Sequence, residues 1–278
     1  MKTIANKIQE SLATRYTDGE IKALTRIIAT ELLGVSQMAF FLKDDVTLTA
    51  EQQTLLGNAI ERLKKQEPIQ YILGYCDFCG LRFKVTPATL IPRPETSELV
   101  EWIASESTGK EVILDIGTGS GCIAVSLACR LPQSKVTAWD ISNDALTIAA
   151  ENSRTNGCAV SFEQVDILTH QPAGNMFDII VSNPPYIKEN EKETMHANVL
   201  DWEPHTALFV PDSDPLLFYR TIATKGLYIL TPGGKIFFEI NRAHGNETVE
   251  MLSTLGYRDV ELRKDFADND RMIKAVKV

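Results

Sequence analysis

No apolar run in the 278 residues approaches the ~20 needed to cross a bilayer as a helix, which excludes a helical membrane span. The N-terminus, Met1-Lys2-Thr3-Ile4-Ala5-Asn6-Lys7, is polar and helix-forming and has no signal-like apolar core behind it, so a cytoplasmic protein is expected. Basic residues are also short: 28 Lys and Arg face 37 Asp and Glu, giving a net charge of −9. That balance argues against a broad, sequence-independent grip on nucleic acid phosphates, although a local basic patch stays open. Cysteine is scarce and odd in number, with five, and in a cytoplasmic chain these read as reduced thiols. Cys76 and Cys79 form a Cys-x-x-Cys pair without a second pair at zinc-finger spacing, so two packed residues flanking a turn are expected and no metal site. Cys122 and Cys129, seven apart on one helical face, read as core. Internal repeats and low-complexity tracts are absent.

With 44% hydrophobic and 23% charged residues the chain can bury a sizeable core, and its length suggests two domains. Residues 1–74 carry apolar positions at helical spacing: Ile4, Ile8 and Leu12; Ile21, Leu24, Ile27, Ile28 and Leu32 after a capping Asp18; Phe40 and Phe41 after Ser36. Leu55, Leu56, Ile60 and Leu63 follow a capping box opened by Thr49 with Glu51 and Gln52. A small helical bundle is expected, closed by Glu67-Pro68-Ile69-Gln70-Tyr71-Ile72-Leu73-Gly74. Residues 75–91 carry the β-prone stretches of a linking hairpin, Tyr75 to Val85 and Thr89 to Ile91. From residue 92 onward a third segment begins with Pro92-Arg93-Pro94-Glu95-Thr96, whose prolines and acid suit a helix N-terminus.

Strands and helices then alternate, which implies a mostly parallel sheet. Seven strands are read at 112–116, 136–140, 159–165, 177–181, 235–240, 257–262 and 272–278, the last two as a hairpin. Gly117, Gly119 and Gly121 give positive-φ turns and close backbone approach at a helix N-terminus. A dinucleotide fold places its third glycine at the sixth position, here Cys122; the spacing with the third glycine at the fifth fits an S-adenosylmethionine site instead. Asp140 closes the next strand and can accept from both ribose hydroxyls; Asp166 and Ile167 follow the third, where the acid can meet the adenine amino group and the aliphatic chain cover the ring. Asp115 orients the loop and reaches for the methionine ammonium. Each acid alone is equally well a strand-end cap.

After the fourth strand come Asn183, Pro184, Pro185 and Tyr186. Two prolines cannot continue the strand and hold Asn183 extended, so the corner offers a planar amide, carbonyl oxygens and an aromatic face. The Asn183 side-chain oxygen and the Pro184 carbonyl can accept from a flat NH₂ group while Tyr186 packs on its plane. These motifs fall at the C-terminal ends of four successive strands, the edge where open α/β sheets bind ligands.

Together with Trp202-Glu203-Pro204, Ala207-Leu208 and Asp268 to Arg271, these segments make the chain resemble the release factor glutamine methyltransferase family, the HemK-like enzymes. The resemblance implies a Rossmann-like class I methyltransferase sheet of seven mostly parallel strands with an N-terminal helical domain that docks the substrate. It implies that S-adenosyl-L-methionine is held by Asp115, Gly117, Thr118, Gly119, Ser120, Gly121, Asp140, Asp166, Ile167 and Asn183. The implied substrate is the glutamine of the Gly-Gly-Gln tripeptide in bacterial release factors. Asn183, Pro184 and Tyr186 would be catalytic, with Pro185, Arg93 and Glu203 also at the substrate. Many members carry an aromatic residue where this chain has Ile167. Three rivals are an amino-group methyltransferase acting on nucleic acid, a cofactor-binding adaptor without catalysis and, last, an oxidoreductase. The first shares the Asn-Pro-Pro-Tyr corner but lacks the Pro-Arg-Pro-Glu-Thr segment, and neither membrane association nor sequence-specific nucleic acid binding is expected.

Overall fold

A computed structural model describes residues 1–42, 46–172, 174 and 176–278. The chain divides into two compact units, Met1–Gly74 with His196–Trp202, and Tyr75–Met195 with Glu203–Val278.

The first unit is helical. α1 (Lys2–Leu12), α2 (Asp18–Ile27, continued by a wider turn Ile28–Leu32), α3 (Gln37–Leu42), α4 (Ala50–Lys64) and α5 (Ile69–Leu73) follow the apolar spacing of the sequence. Ile4, Ile8, Leu12, Ile21, Ile28, Leu56, Ile60 and Leu63 are buried in one cluster. The cap of α2 is Thr17 rather than Asp18. Its hydroxyl accepts from the Glu20 amide at 3.3 Å and the Glu20 carboxylate accepts from the Thr17 amide at 2.7 Å. Thr49 and Gln52 form the second capping box as expected. Glu67 is buried against Arg62, which also donates to the carbonyl of Tyr71 at 3.1 Å. The conspicuous Glu67–Gly74 segment therefore joins α4 to α5, and Gly74 at φ +81 ends it.

The second unit begins with a hairpin, β1 (Tyr75–Phe78) and β2 (Leu81–Lys84). Its two-residue loop, Cys79 and Gly80, has φ of +50 and +77, the double positive φ that matches strand twist. Residues 89–91 form no strand; the Ile91 amide donates to Glu203 instead. After α6 (Pro94–Ser105) come β3 (Val112–Ile116), α7 (Cys122–Arg130), β4 (Lys135–Asp140), α8 (Asn143–Thr155), β5 (Val160–Gln164) and β6 (Phe177–Ser182). The two-residue β7 (Ile187–Lys188) precedes α9 (Ala197–Leu200), which belongs to the first unit, and β8 (Phe209–Val210) pairs with β7. Then follow α10 (Leu217–Ile229), β9 (Leu230–Glu239), α11 (Gly245–Thr254), β10 (Arg258–Lys264) and β11 (Asp270–Val276).

The central sheet has seven strands in the order β10-β11-β9-β6-β3-β4-β5, parallel from β9 to β5, with β11 antiparallel to both β9 and β10. Ile113, Val181 and Phe237 point to the layer of α6 and α7, and Leu114, Ile180 and Phe238 to the layer of α10 and α11. β9 starts earlier than the pattern 235–240 indicates because Leu230 already pairs with Phe177, after which the register shifts through an irregularity containing Gly233 at φ +77 before Lys235 pairs with Ile179. One cysteine expectation fails: Cys129 and Cys158 are joined in a disulfide, Cα atoms 5.3 Å apart. The end of α7 lies against the turn after α8, a proximity that a separation of 29 residues conceals. Cys76, Cys79 and Cys122 are free thiols.

Candidate active site

The chain runs outward from β3 through β4 to β5 and returns to β6 on the other flank of β3, so the crevice between the ends of β3 and β6 is the switch point of the sheet. The glycine turn leaves β3 there and the Asn183 corner leaves β6. The Ser182 hydroxyl donates to the Ile116 carbonyl at 2.6 Å and pins the two strand ends together.

Gly117, Gly119 and Gly121 have φ of +74, +56 and +80, so each occupies the left-handed region. Gly121 is also required by packing, since a Cβ there would meet the Ala149 Cβ on α8 at 3.0 Å. The amides of Gly117 and Thr118 donate to the Trp139 carbonyl at 2.8 and 3.1 Å, and the Gly119 amide donates to Asp140 Oδ2 at 2.8 Å. Asp140 Oδ1 accepts from the Ser142 amide at 2.9 Å. Each oxygen keeps a further lone pair that can accept from a ribose hydroxyl. Asp115 lies beneath, fully buried: Oδ2 accepts from Thr118 Oγ1 at 2.6 Å, while Oδ1 has no well-formed hydrogen bond among the described residues, with the Ala124 amide of α7 near enough to favour the charged form. Burial raises its carboxyl to about 7. An orphaned carboxylate oxygen beneath a glycine cradle fits a cationic, ribose-bearing ligand.

One cavity of about 360 Å³, within the range for small-molecule sites, collects most of these residues. Its walls include Gly117 to Ser120, Asp140, Asp166, Ile167 and Asn183 to Pro185 with Arg93. Asp115 and Gly121 act from behind the wall. Tyr186 also stays outside it: its ring packs into the cluster on the α10 face, its carbonyl accepts from Asn241 Nδ2 at 3.2 Å, and burial raises its hydroxyl to about 12. The ring therefore does not supply the aromatic face expected beside Asn183. Glu203 is likewise outside the cavity, buried, with Oε1 accepting from Arg93 Nη2 at 2.5 Å and Oε2 from the Ile91 amide at 3.2 Å. Pro204 and Arg93 reach the wall in its place.

Three residues beyond the expected set hold the site. Asn152 on α8 donates to the carbonyls of Ser120 and Lys84 at 2.9 and 3.0 Å, tying the glycine turn to β2. Lys225 on α10 donates to the carbonyls of Ile167, Leu168 and His170 and fixes the loop after Asp166. Glu239, the last residue of β9, is buried and accepts from Thr96 Oγ1 at 2.6 Å. Its signal in the sequence is an acid closing the apolar run Ile236-Phe237-Phe238, the pattern shared by Asp115 and Asp140.

Residues 95–201 match the family model described as methyltransferase small domain, and residues 4–74 match the PrmC N-terminal domain. The chain is 50% identical over 276 residues to a release factor glutamine methyltransferase of Bacteroides thetaiotaomicron, covering 99% of each. It is 44% identical to the enzyme of that name from Flavobacterium psychrophilum, covering 99% of this chain and 98% of the relative. Among solved structures, a methyltransferase from Pyrococcus furiosus superposes with a TM-score of 0.55 at 20% identity over 80% of this chain and 98% of that one, which shows the shared sheet. Near-full-length identity of this degree, joined to the glycine turn and the Asn-Pro-Pro-Tyr corner at one switch point, places the chain in the release factor glutamine methyltransferase family.

Proposed function

We propose that the protein methylates the side-chain amide nitrogen of the glutamine in the Gly-Gly-Gln motif of peptide-chain release factors, with S-adenosyl-L-methionine as donor. The observation that carries the reading is that the glycine turn, Asp140 and the Asn183–Pro184 corner line one cavity. A protein substrate of translation termination makes the cytoplasm the place of action. Consistent with it, no helix among the described residues is long and apolar enough to cross a membrane. In this reading residues 1–74 serve as the substrate-docking domain and residues 92–278 as the catalytic domain, with 75–91 as the linker between them.

The residues have separate tasks. Asp140 holds the ribose, Asp166 and Ile167 the adenine, and Asp115, from behind the glycine turn, supplies negative charge toward the ammonium group. When bound, the cofactor would supply an electrophilic methyl to the amide lone pair, its sulfur keeping the pair of the broken C–S bond and the nitrogen giving up a proton to water. An amide nitrogen is a weak nucleophile because its lone pair is delocalised, so orientation is the larger task. Asn183 Oδ1 and the Pro184 carbonyl accept the two N–H bonds and stabilise positive charge on nitrogen. Tyr186 anchors the corner through its backbone and buried ring. Arg93, set by Glu203, stands at the substrate side of the cavity.

Incubation with labelled cofactor and equal amounts of release factor and nucleic acid tests the proposal. Label in the release factor is expected. Label in nucleic acid would favour the amino-methylating alternative, and cofactor binding without transfer would favour an adaptor.

A further inference from the structure

Glu239 stands in a place that the tasks above leave unassigned. β6 and β9 run parallel with Val181 beside Phe237 and Ser182 beside Phe238, and Asn183 and Glu239 are the residues that follow this last pair on each chain segment. Side chains alternate along a strand, so Glu239 belongs to the layer of Phe237, whose ring meets Trp102 of α6 at 5.4 Å. Thr96, on the first turn of α6, completes the contact through its hydroxyl and also lines the cavity. In the order β9-β6-β3, Glu239 lies on the far side of Asn183 from the glycine turn.

Its surroundings are charged, yet its carboxyl meets a neutral hydroxyl. Arg93 just before α6 and Glu95 on it act on this carboxyl, as do Arg271 from β11, Tyr186 from the corner, Tyr219 from α10 and Cys122 from α7. Arg93 donates to Glu203, and Arg271 donates to Asp265 at 3.0 Å and to the Ile240 carbonyl at 3.4 Å. Burial raises the Glu239 carboxyl to about 7. A glutamine would join α6 to the sheet without the cost of burying an ionisable group, so the carboxyl points to a role beyond that join.

We propose, on the reading of the site given above, that Glu239 is a positioning residue which, through the Thr96 hydroxyl, supplies negative charge on the nitrogen side of the cavity. During transfer positive charge moves from sulfur to nitrogen, toward β6 and β9. Neighbouring strands lie about 4.8 Å apart, so a charge on β9 is one strand from the corner and two from the glycine turn. Because attraction falls with distance, ionised Glu239 favours charge on nitrogen over charge on sulfur. It takes no proton from substrate; its ionised form is the active one.

Single-turnover transfer to release factor under saturating cofactor, from about pH 5 to 9, tests this for wild type, Glu239→Gln and Thr96→Val. Saturation moves the titration of Asp115 into cofactor affinity and out of the rate. The wild-type rate should rise with pH through about 7 and level off. Glu239→Gln should lie about tenfold below that plateau with no limb, with cofactor affinity changed less than about twofold. Thr96→Val removes a hydrogen bond that favours the ionised form, so its limb should move to higher pH. Carboxyl carbon-13 NMR of the ligand-free protein should show one Glu resonance titrating near neutrality that Glu239→Gln deletes. A Glu239→Gln profile within about twofold of wild type with the same limb, an unmoved Thr96→Val limb, or no such resonance overturns the inference alone. Failure of the wild-type chain to methylate release factor overturns the reading of the site and this inference with it.

Discussion

The two flanks of the cavity are built differently. On the β3–β4 flank, Asp115 meets Thr118 three residues away, and Asp140 caps Ser142 and the Gly119 turn through backbone amides. On the β6–β9 flank the partners come from far along the chain: Arg93 with Glu203 across 110 residues, Thr96 with Glu239 across 143. Local hydrogen bonds leave a short motif in the sequence. Long-range pairs leave only isolated charged residues whose partners the fold must supply. On the proposed function the first flank binds the cofactor and the second carries the reaction, and substitutions at four positions probe that division.

The largest effect is expected at Asn183. Asn183→Ala removes an acceptor from the corner, and single-turnover methyl transfer should fall by about 100-fold or more while the cofactor dissociation constant, from calorimetry, changes less than about threefold. Equal losses in both would erase the distinction between the flanks. Asp140→Asn should do the reverse, weakening cofactor binding about tenfold through the loss of one charged acceptor while the rate at saturation stays within about threefold of wild type.

Stability against pH follows from the raised carboxyls. Asp115 and Glu239 stand at about 7 in the folded chain, against ordinary values of 3.8 and 4.5. A folded carboxyl above its unfolded value binds more protons when folded, so stability is greatest below the unfolded value and is lost as pH rises to about 7. For Glu239 alone the loss is on the order of 3 kcal/mol at about 1.4 kcal/mol per unit. In urea unfolding, Glu239→Gln should match wild type near pH 5 and exceed it by about 2–3 kcal/mol at pH 8.

Smaller still, Lys225→Met keeps an apolar stem but frees the carbonyls of Ile167, Leu168 and His170. Cofactor affinity should weaken about threefold to tenfold, with Lys225→Arg restoring part of it and the saturated rate preserved.

Much of this was legible before the fold. Apolar spacing located most helices and strands, because period and caps are local; the misses are the cap at Thr17, which precedes Asp18, residues 89–91, where Glu203 satisfies the Ile91 amide in place of a strand partner, the start of β9, and the short β7, α9 and β8. The glycine spacing and the strand-end acids pointed to the sheet edge at which the cavity lies. Tyr186 misled because an aromatic residue after two prolines suggests a stacking surface, whereas the corner turns its ring into the core. The Cys129–Cys158 bond and the Thr96–Glu239 pair were hidden by sequence separation. The Arg93-Pro94-Glu95-Thr96 segment marked its own importance but not its partners.

The central claim is that the β6 corner presents acceptors to a flat amide nitrogen while the β3 turn holds the methyl donor in the same cavity. Fragment mass spectrometry of release factor after incubation with the protein and S-adenosylmethionine tests it most directly. One added methyl on the side-chain nitrogen of the Gly-Gly-Gln glutamine, lost with Asn183→Ala, is the predicted result. A methyl on any other atom of the release factor, or an undiminished glutamine signal from Asn183→Ala, would contradict it.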